Sequence, residues 1–276
     1  MQHNVVHLKV FFPVLGEQDC DPTLTLYLLQ NMVSMGREHD LRPTILVCPG
    51  GAYVDISQRE SEPIALQFMA KGYNVAVLAY SCKPNRFPTQ MREVAAAMEL
   101  IHANSALWHC NPNRLAIMGF SAGGHLAAHY STCYDCAEVR EIFPESKAVQ
   151  ASVLCYPVIT AYPPHRHIGS FLNISGHEEL TQEDMQKFSA ERHVTDKTPP
   201  AFLWHTAEDT GVPVMNSLLY AQALAEHKIP FSLHVYPYGC HGLATVDQQT
   251  NNELDSKAVY AADWIDAALK WLALTL

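Results

Sequence analysis

The segment Gly119-Phe-Ser121-Ala-Gly123 places a hydroxyl between two glycines, directly after the apolar run Arg114-Leu-Ala-Ile-Met118. A sharp strand-to-helix turn strains its apex residue, and glycines two positions away on each side remove the side chains that would collide. Such a turn exposes the Ser121 hydroxyl beside unpaired N–H groups at the positive end of a helix. A serine hydroxyl attacks poorly until a base takes its proton. Pro237-Tyr-Gly-Cys-His-Gly-Leu243 supplies a base, His241, in a glycine-flanked loop five residues beyond the last apolar run. The acid that orients such a histidine belongs after the preceding apolar run, where Glu208 and Asp209 stand side by side. Asp209 is favoured and Glu208 is the alternative; either carboxylate also suits a helix cap before Val212-Pro213.

Acyl transfer passes through an oxyanion, which needs fixed N–H donors. The tight turn Pro49-Gly50-Gly51-Ala52, after an earlier apolar run, faces the same edge and suits that task. Of the fifteen histidines, His205 and His234 lie inside apolar runs and read as structural. His125 and His129 are four apart on the helix after Ser121, a spacing that can hold a metal, but no carboxylate motif completes a ligand set. No metal and no cofactor is therefore expected. Cys133 and Cys136 form a lone C-x-x-C pair with no second pair downstream, and Cys48, Cys155 and Cys240, in or beside apolar runs, read as small buried hydrophobes.

These residues need a scaffold that brings distant segments to one edge. Residues 5–12 and 23–30 read as two edge strands, antiparallel to each other, separated by Pro13 and a turn at Gly16. Short apolar runs follow at 44–48, 74–80, 114–118, 151–156, 201–205 and 231–236. Helical patterns alternate with them at 62–71, 89–107, 122–132, 214–227 and 255–274. This alternation implies an α/β fold with a mostly parallel sheet covered on both faces. Ligands bind beyond the carboxyl ends of such strands, where Ser121 sits. The rhythm breaks at 157–200, a polar, histidine-containing insertion that reads as a small lid. Within it 181–192 predicts a helix capped by Thr181 with Asp184 three residues on. Residues 1–276 thus read as a single domain carrying one insertion.

Composition narrows the function. A formal charge of −10 with no basic cluster excludes a nucleic-acid partner. The longest apolar runs are far too short for a membrane span, and the first residues lack a basic start and an apolar stretch. The expected setting is the cytoplasm, the expected partner a small-molecule ester, and a homo-oligomer is compatible with the composition.

With these segments together, the chain resembles the α/β-hydrolase superfamily, specifically the esterase/lipase group related to hormone-sensitive lipase. The resemblance runs from about Pro43 onward and rests on PGGAYVDIS, YNVAVLAYSC, RLAIMGFSAGGHLAAHYS, TPPAFLWHTAEDTGVPV and YPYGCHGL. It is nearest to small bacterial carboxylesterases and acetyl-ester hydrolases, some acting on acetylated xylan. The resemblance implies Ser121 as nucleophile, His241 as base and Asp209 as acid. It implies an oxyanion hole from the N–H groups of Gly51, Ala52 and Ala122. Where that group has His-Gly-Gly-Gly, this chain has Pro49-Gly50-Gly51-Ala52, so a backbone role survives without the histidine. The large N-terminal helical cap of that group is absent from this sequence pattern.

The function expected is therefore a serine esterase acting on acetyl to butyryl esters. Tyr53, directly after the glycine turn, and Tyr156, at the end of a run, are expected to crowd the acyl side. A peptidase of the prolyl-oligopeptidase type would need a propeller domain, for which there is no repeat. A non-catalytic binder on this scaffold would typically lack the base or the nucleophile, and here both stand.

Overall fold

The computed structural model describes residues 1–15 and 21–276, so the turn expected at Gly16 lies outside the described residues. The strands are β1 (Gln2–His7), β2 (Thr23–Leu28), β3 (Arg42–Cys48), β4 (Asn74–Ala79), β5 (Cys110–Phe120), β6 (Ala151–Cys155), β7 (Ala201–Thr206) and β8 (Phe231–Tyr236). They form one sheet in the order β1-β2-β4-β3-β5-β6-β7-β8. Pairings from β4 to β8 are parallel, whereas β1 with β2 and β2 with β4 are antiparallel. The helices are α1 (Leu8–Phe11), α2 (Glu62–Met69), α3 (Thr89–Ala103), α4 (Ser121–Cys133), α5 (Ala137–Arg140), α6 (Ile168–Ser175), α7 (Gln182–Phe188), α8 (Met215–Glu226) and α9 (Trp264–Thr275).

The apolar runs are continuous because both faces of the sheet are covered. Leu46 and Cys48 of β3 belong to the core shared with α3, α4 and α8, while Ile45 and Val47 pack with α2 and α9. Side chains alternate across a strand, so one run fills two cores. Each fully buried Leu, Ile or Val in them contributes roughly 1.5–3 kcal/mol. The parallel neighbours β3 and β5 direct their carboxyl ends, at Cys48 and Phe120, to the same edge.

Three expectations change. The first strand ends at His7, and Leu8–Phe11 closes a single helical turn instead. Leu8 is buried there with its N–H on the Pro22 carbonyl, while Val10 and Phe11 face solvent. The second strand is internal, because β2 pairs on both sides; the edges are β1 and β8. The last helical pattern divides into a 3-10 segment, Ala258–Asp263, followed by α9.

The 157–200 insertion holds α6, α7 and a 3-10 turn, Ala190–His193. The Thr181–Asp184 capping box forms as the spacing predicts. Phe171, Ile174, Phe188 and Ala190 are buried in the same core as α3 and α4, so the insertion is packed into the fold.

Candidate active site

The turn into α4 explains its two glycines. A Cβ on Gly119 would stand 2.1 Å from the Gly123 carbonyl oxygen, and one on Gly123 would stand 2.1 Å from that of Cys48. Ser121 at the apex has φ 53°, the left-handed region that L-residues rarely adopt. Its carbonyl accepts the Val158 N–H at 3.0 Å, which ties the apex to the start of the insertion.

Ser121 Oγ lies 2.7 Å from His241 Nε2, and His241 Nδ1 lies 2.6 Å from Asp209 Oδ2. The Asp209 side chain is fully buried, whereas that of His241 is 26% exposed. Burial by itself raises a carboxyl. At Asp209 contacts from His205 and His241, the His241 charge and the Val212 N–H outweigh it and hold the group well below the usual carboxylate range. An ionised carboxylate only accepts, so His241 Nδ1 carries the proton and Nε2 accepts from the Ser121 hydroxyl. The arrangement can deprotonate a hydroxyl and hold the resulting imidazolium. Asp209 Oδ1 accepts the Gly211 and Val212 N–H groups at 2.9 and 2.8 Å. Glu208, the alternative acid, accepts the Gly239 N–H at 3.2 Å and does not meet the imidazole.

The glycine turn runs alongside. Glu60 Oε2 accepts the Gly50 N–H at 2.8 Å, while no acceptor among the described residues takes the N–H groups of Gly51, Ala52 or Ala122. Ala52 and Tyr53 have φ of 53° and 60°, held by the Asn173 amide on the Ala52 carbonyl at 2.9 Å and the Lys83 N–H on that of Tyr53 at 2.8 Å. A cavity of about 250 Å³ opens over these groups, lined by Gly51, Ala52, Ser121, His241 and, around them, Glu60 and His167 among others.

Tyr53 and Tyr156 take a different place from the one expected. Both are buried and neither lines the cavity. Tyr53 is spent on His125 Nδ1 at 2.7 Å. Tyr156 donates to Glu60 Oε1 at 2.7 Å, accepts the Ala244 N–H at 3.0 Å, and sets its ring edge-on to His241 at 5.1 Å. Their hydroxyls are satisfied inside the protein, so they support the walls from behind. Burial and the Glu60 carboxylate push the Tyr156 hydroxyl far above its ordinary range, so it stays a donor.

Four residues carry weight that the spacing did not reveal. Glu60 and Asn173 brace the turn, and His167 reaches the cavity from the insertion. His205 is buried and structural, as its run implies, with Ser217 Oγ and the Val212 carbonyl each 2.8 Å from its nitrogens. It also stands 3.3 Å from Asp209 Oδ2. Only a buried polar residue beside a known acid would have hinted at it.

In the spaced pair His125 and His129, the first ring is already committed. Both nitrogens of His125 are hydrogen-bonded, to Tyr53 and to the Phe188 carbonyl at 2.8 Å. Cys48 and Cys155 are buried as expected, whereas Cys240 is exposed. No helix among the described residues is long and apolar enough to cross a membrane.

Comparison with known proteins identifies relatives of the chain and of its fold. An endo-1,4-β-xylanase B of Butyrivibrio fibrisolvens is 36% identical over 218 residues, 75% of this chain and 33% of that protein. An acetylxylan esterase of Xylanibacter ruminicola is 31% identical over 215 residues, 76% of this chain and 43% of that one. This chain thus spans a third to under a half of the length of those relatives. Among solved structures, an acetyl ester-xyloside bifunctional hydrolase from Caldicellulosiruptor lactoaceticus superposes with a TM-score of 0.83 at 33% identity, covering 98% of this chain and 96% of that one. A carboxylesterase from Lactobacillus plantarum gives 0.84 at 30% identity, covering 99% and 98%. The α/β-hydrolase fold shared with these enzymes extends over nearly the whole chain, and the BD-FAE family model matches residues 32–224. On that match the chain belongs to the BD-FAE family of α/β-hydrolases.

Proposed function

We propose that this chain is a serine carboxylesterase that removes short acyl groups, acetyl to butyryl, from alcohols including acetylated sugars. The observation that carries the reading is the continuous hydrogen-bonded line Ser121–His241–Asp209 beside uncommitted N–H groups. Ser121 Oγ adds to the ester carbonyl while its proton passes to His241 Nε2. The tetrahedral oxyanion lies against the N–H groups of Ala52 and Ala122, with Gly51 adjoining. Such donors lower a barrier by a few kcal/mol each, ~3–4 in a measured protease case. Collapse breaks the bond to the alcohol oxygen, which takes the proton from His241. Water then adds to the acyl-enzyme, giving its proton to His241, and the carboxylic acid leaves as Ser121 regains its hydroxyl. Asp209 stays ionised throughout and steadies the imidazolium.

The acyl limit follows from the cavity, which at about 250 Å³ is small and has no large apolar side chain among the described residues lining it. Related proteins named for acetylxylan and acetyl esters support sugars as the alcohol. The test is kcat/KM against acyl length from two to twelve carbons. A maximum at two to four carbons is expected, and a maximum at eight or beyond overturns the size limit.

A further inference from the structure

His167 enters the cavity from outside the reacting line. It caps the N-terminus of α6, where the Ser170 N–H donates to its Nδ1 at 3.3 Å and the Ser170 hydroxyl lies 2.8 Å from the same atom. A backbone N–H can only donate, so Nδ1 is an acceptor and the ring proton sits on Nε2. The two nitrogens lie on opposite flanks of the ring, so Nε2–H points away from the helix end. No described residue accepts from it. Burial, reinforced by the His241 charge and opposed by Asp209, lowers the His167 pKa and keeps the ring neutral. A neutral N–H donor therefore lines the same cavity as Ser121 and His241.

The side on which it acts follows from the chemistry. The oxyanion is served by backbone N–H groups at the start of α4 and in the glycine turn. The leaving oxygen must face His241, and His167 lies within electrostatic reach of that imidazole. The same wall carries the polar side chains of Ser57, Arg59 and Glu60. We infer that His167 is a specificity-determining residue whose Nε2–H donates to a hydroxyl on the alcohol half of the ester, selecting polyhydroxylated alcohols over plain ones. The inference rests on the esterase reading and adds to it the residue that recognises the leaving group.

The test uses a matched pair, ethyl acetate and ethylene glycol monoacetate, with an O-acetylated methyl xyloside alongside. Wild type should prefer the hydroxylated esters by about tenfold in kcat/KM, the scale of one hydrogen bond. Two variants separate recognition from capping. His167→Asn keeps an acceptor near Nδ1 but loses the reach of Nε2, and the preference should collapse toward one. His167→Gln extends a donor to the Nε2 position, and the preference should be largely retained. An unchanged preference in the Asn variant, or a Gln variant that collapses while Asn does not, overturns the inference in favour of a capping role. No preference in wild type overturns it as well. Wild type that hydrolyses none of these acetates overturns the esterase reading itself.

Discussion

Helix α4 borders two cavities that share residue types and differ in what those residues can do. At its first residue, Ser121, a cavity of about 250 Å³ holds a partly exposed histidine aligned between a hydroxyl and a buried carboxylate. Two to three turns further on, a cavity of about 580 Å³ is lined by Phe87, His129, Cys133, Cys136, Lys187 and His193, among others. It is the larger, and it offers histidines and thiols. Yet burial pushes the Cys133 thiol up to about 11 and the His129 imidazole well below its ordinary range. Among the described residues His129 Nδ1 has no hydrogen-bond partner, and its ring stacks on Phe87. What sets the first cavity apart is convergence: a hydroxyl, an imidazole and a buried carboxylate touch in sequence, the geometry that the proposed esterase chemistry needs. Volume and residue inventory do not supply that.

The sharpest way to break the comparison is Ser121→Ala. Loss of a triad nucleophile costs on the order of 10⁶ in kcat in a measured protease, and a loss of at least ~10⁴ is expected here. Cys133→Ser should stay within about twofold of wild type, since that thiol is weakly ionised by its burial. An organophosphate should label Ser121 alone, read by peptide mass. Substantial activity in the Ala variant, or label on a thiol of the second cavity, reverses the assignment. Next in size is Asp209→Asn, expected to cut kcat by ~10⁴, as tautomer loss does in a triad protease. Glu208→Gln, whose carboxylate only takes the Gly239 N–H, should cost less than about tenfold. The reverse order would move the acid by one residue.

The smallest effect concerns stability. Burial lowers the His125 pKa to about 4 from an ordinary 6.5. Between those values the unfolded chain binds a proton that the folded chain does not, so stability is full above pH 6.5, falls as pH drops toward about 4 and levels off below it. The loss is on the order of 3 kcal/mol for this one group. Urea unfolding at pH 7 and pH 4.5 measures it, and His125→Gln should reduce the difference by about that amount, leaving the share of the equally buried His129. Equal slopes in both proteins would remove the buried histidine from the account of this region.

The fold was legible because its signals are local and repeated. Runs such as 151–155 and 201–206 are apolar throughout since both faces are covered, and that pattern names parallel strands directly. Ser121 and its glycines were legible because a Cβ at Gly119 or Gly123 would stand 2.1 Å from a backbone carbonyl oxygen, which leaves no other residue type there. His241 and Asp209 followed from chain order. Tyr53 and Tyr156 were misplaced because sequence distance from the turn says nothing about which way a ring points. Glu60, Asn173 and His167 were invisible for a related reason. Each acts through one long-range hydrogen bond or one direction of approach, and no periodicity records either. The first strand was overrun because Val10 and Phe11 extend an apolar run yet lie exposed on the single helical turn that follows it.

Glu60 sets a limit on how this protein can be re-engineered. One carboxylate takes the Gly50 N–H and the Tyr156 hydroxyl, and Tyr156 in turn holds the Ala244 N–H, whose carbonyl receives the Trp264 indole at 3.0 Å. The glycine turn, the end of β6, the loop after His241 and helix α9 are thereby indexed to one another across some two hundred residues. Loops around such a pocket are attractive units for exchange between homologous scaffolds. Here they form a set with a shared key: a grafted histidine loop that lacks a partner for Tyr156, or a new glycine turn without its carboxylate, carries the misfit to the others. Libraries that vary these segments together have a smooth path to new substrates, and libraries that swap them singly do not.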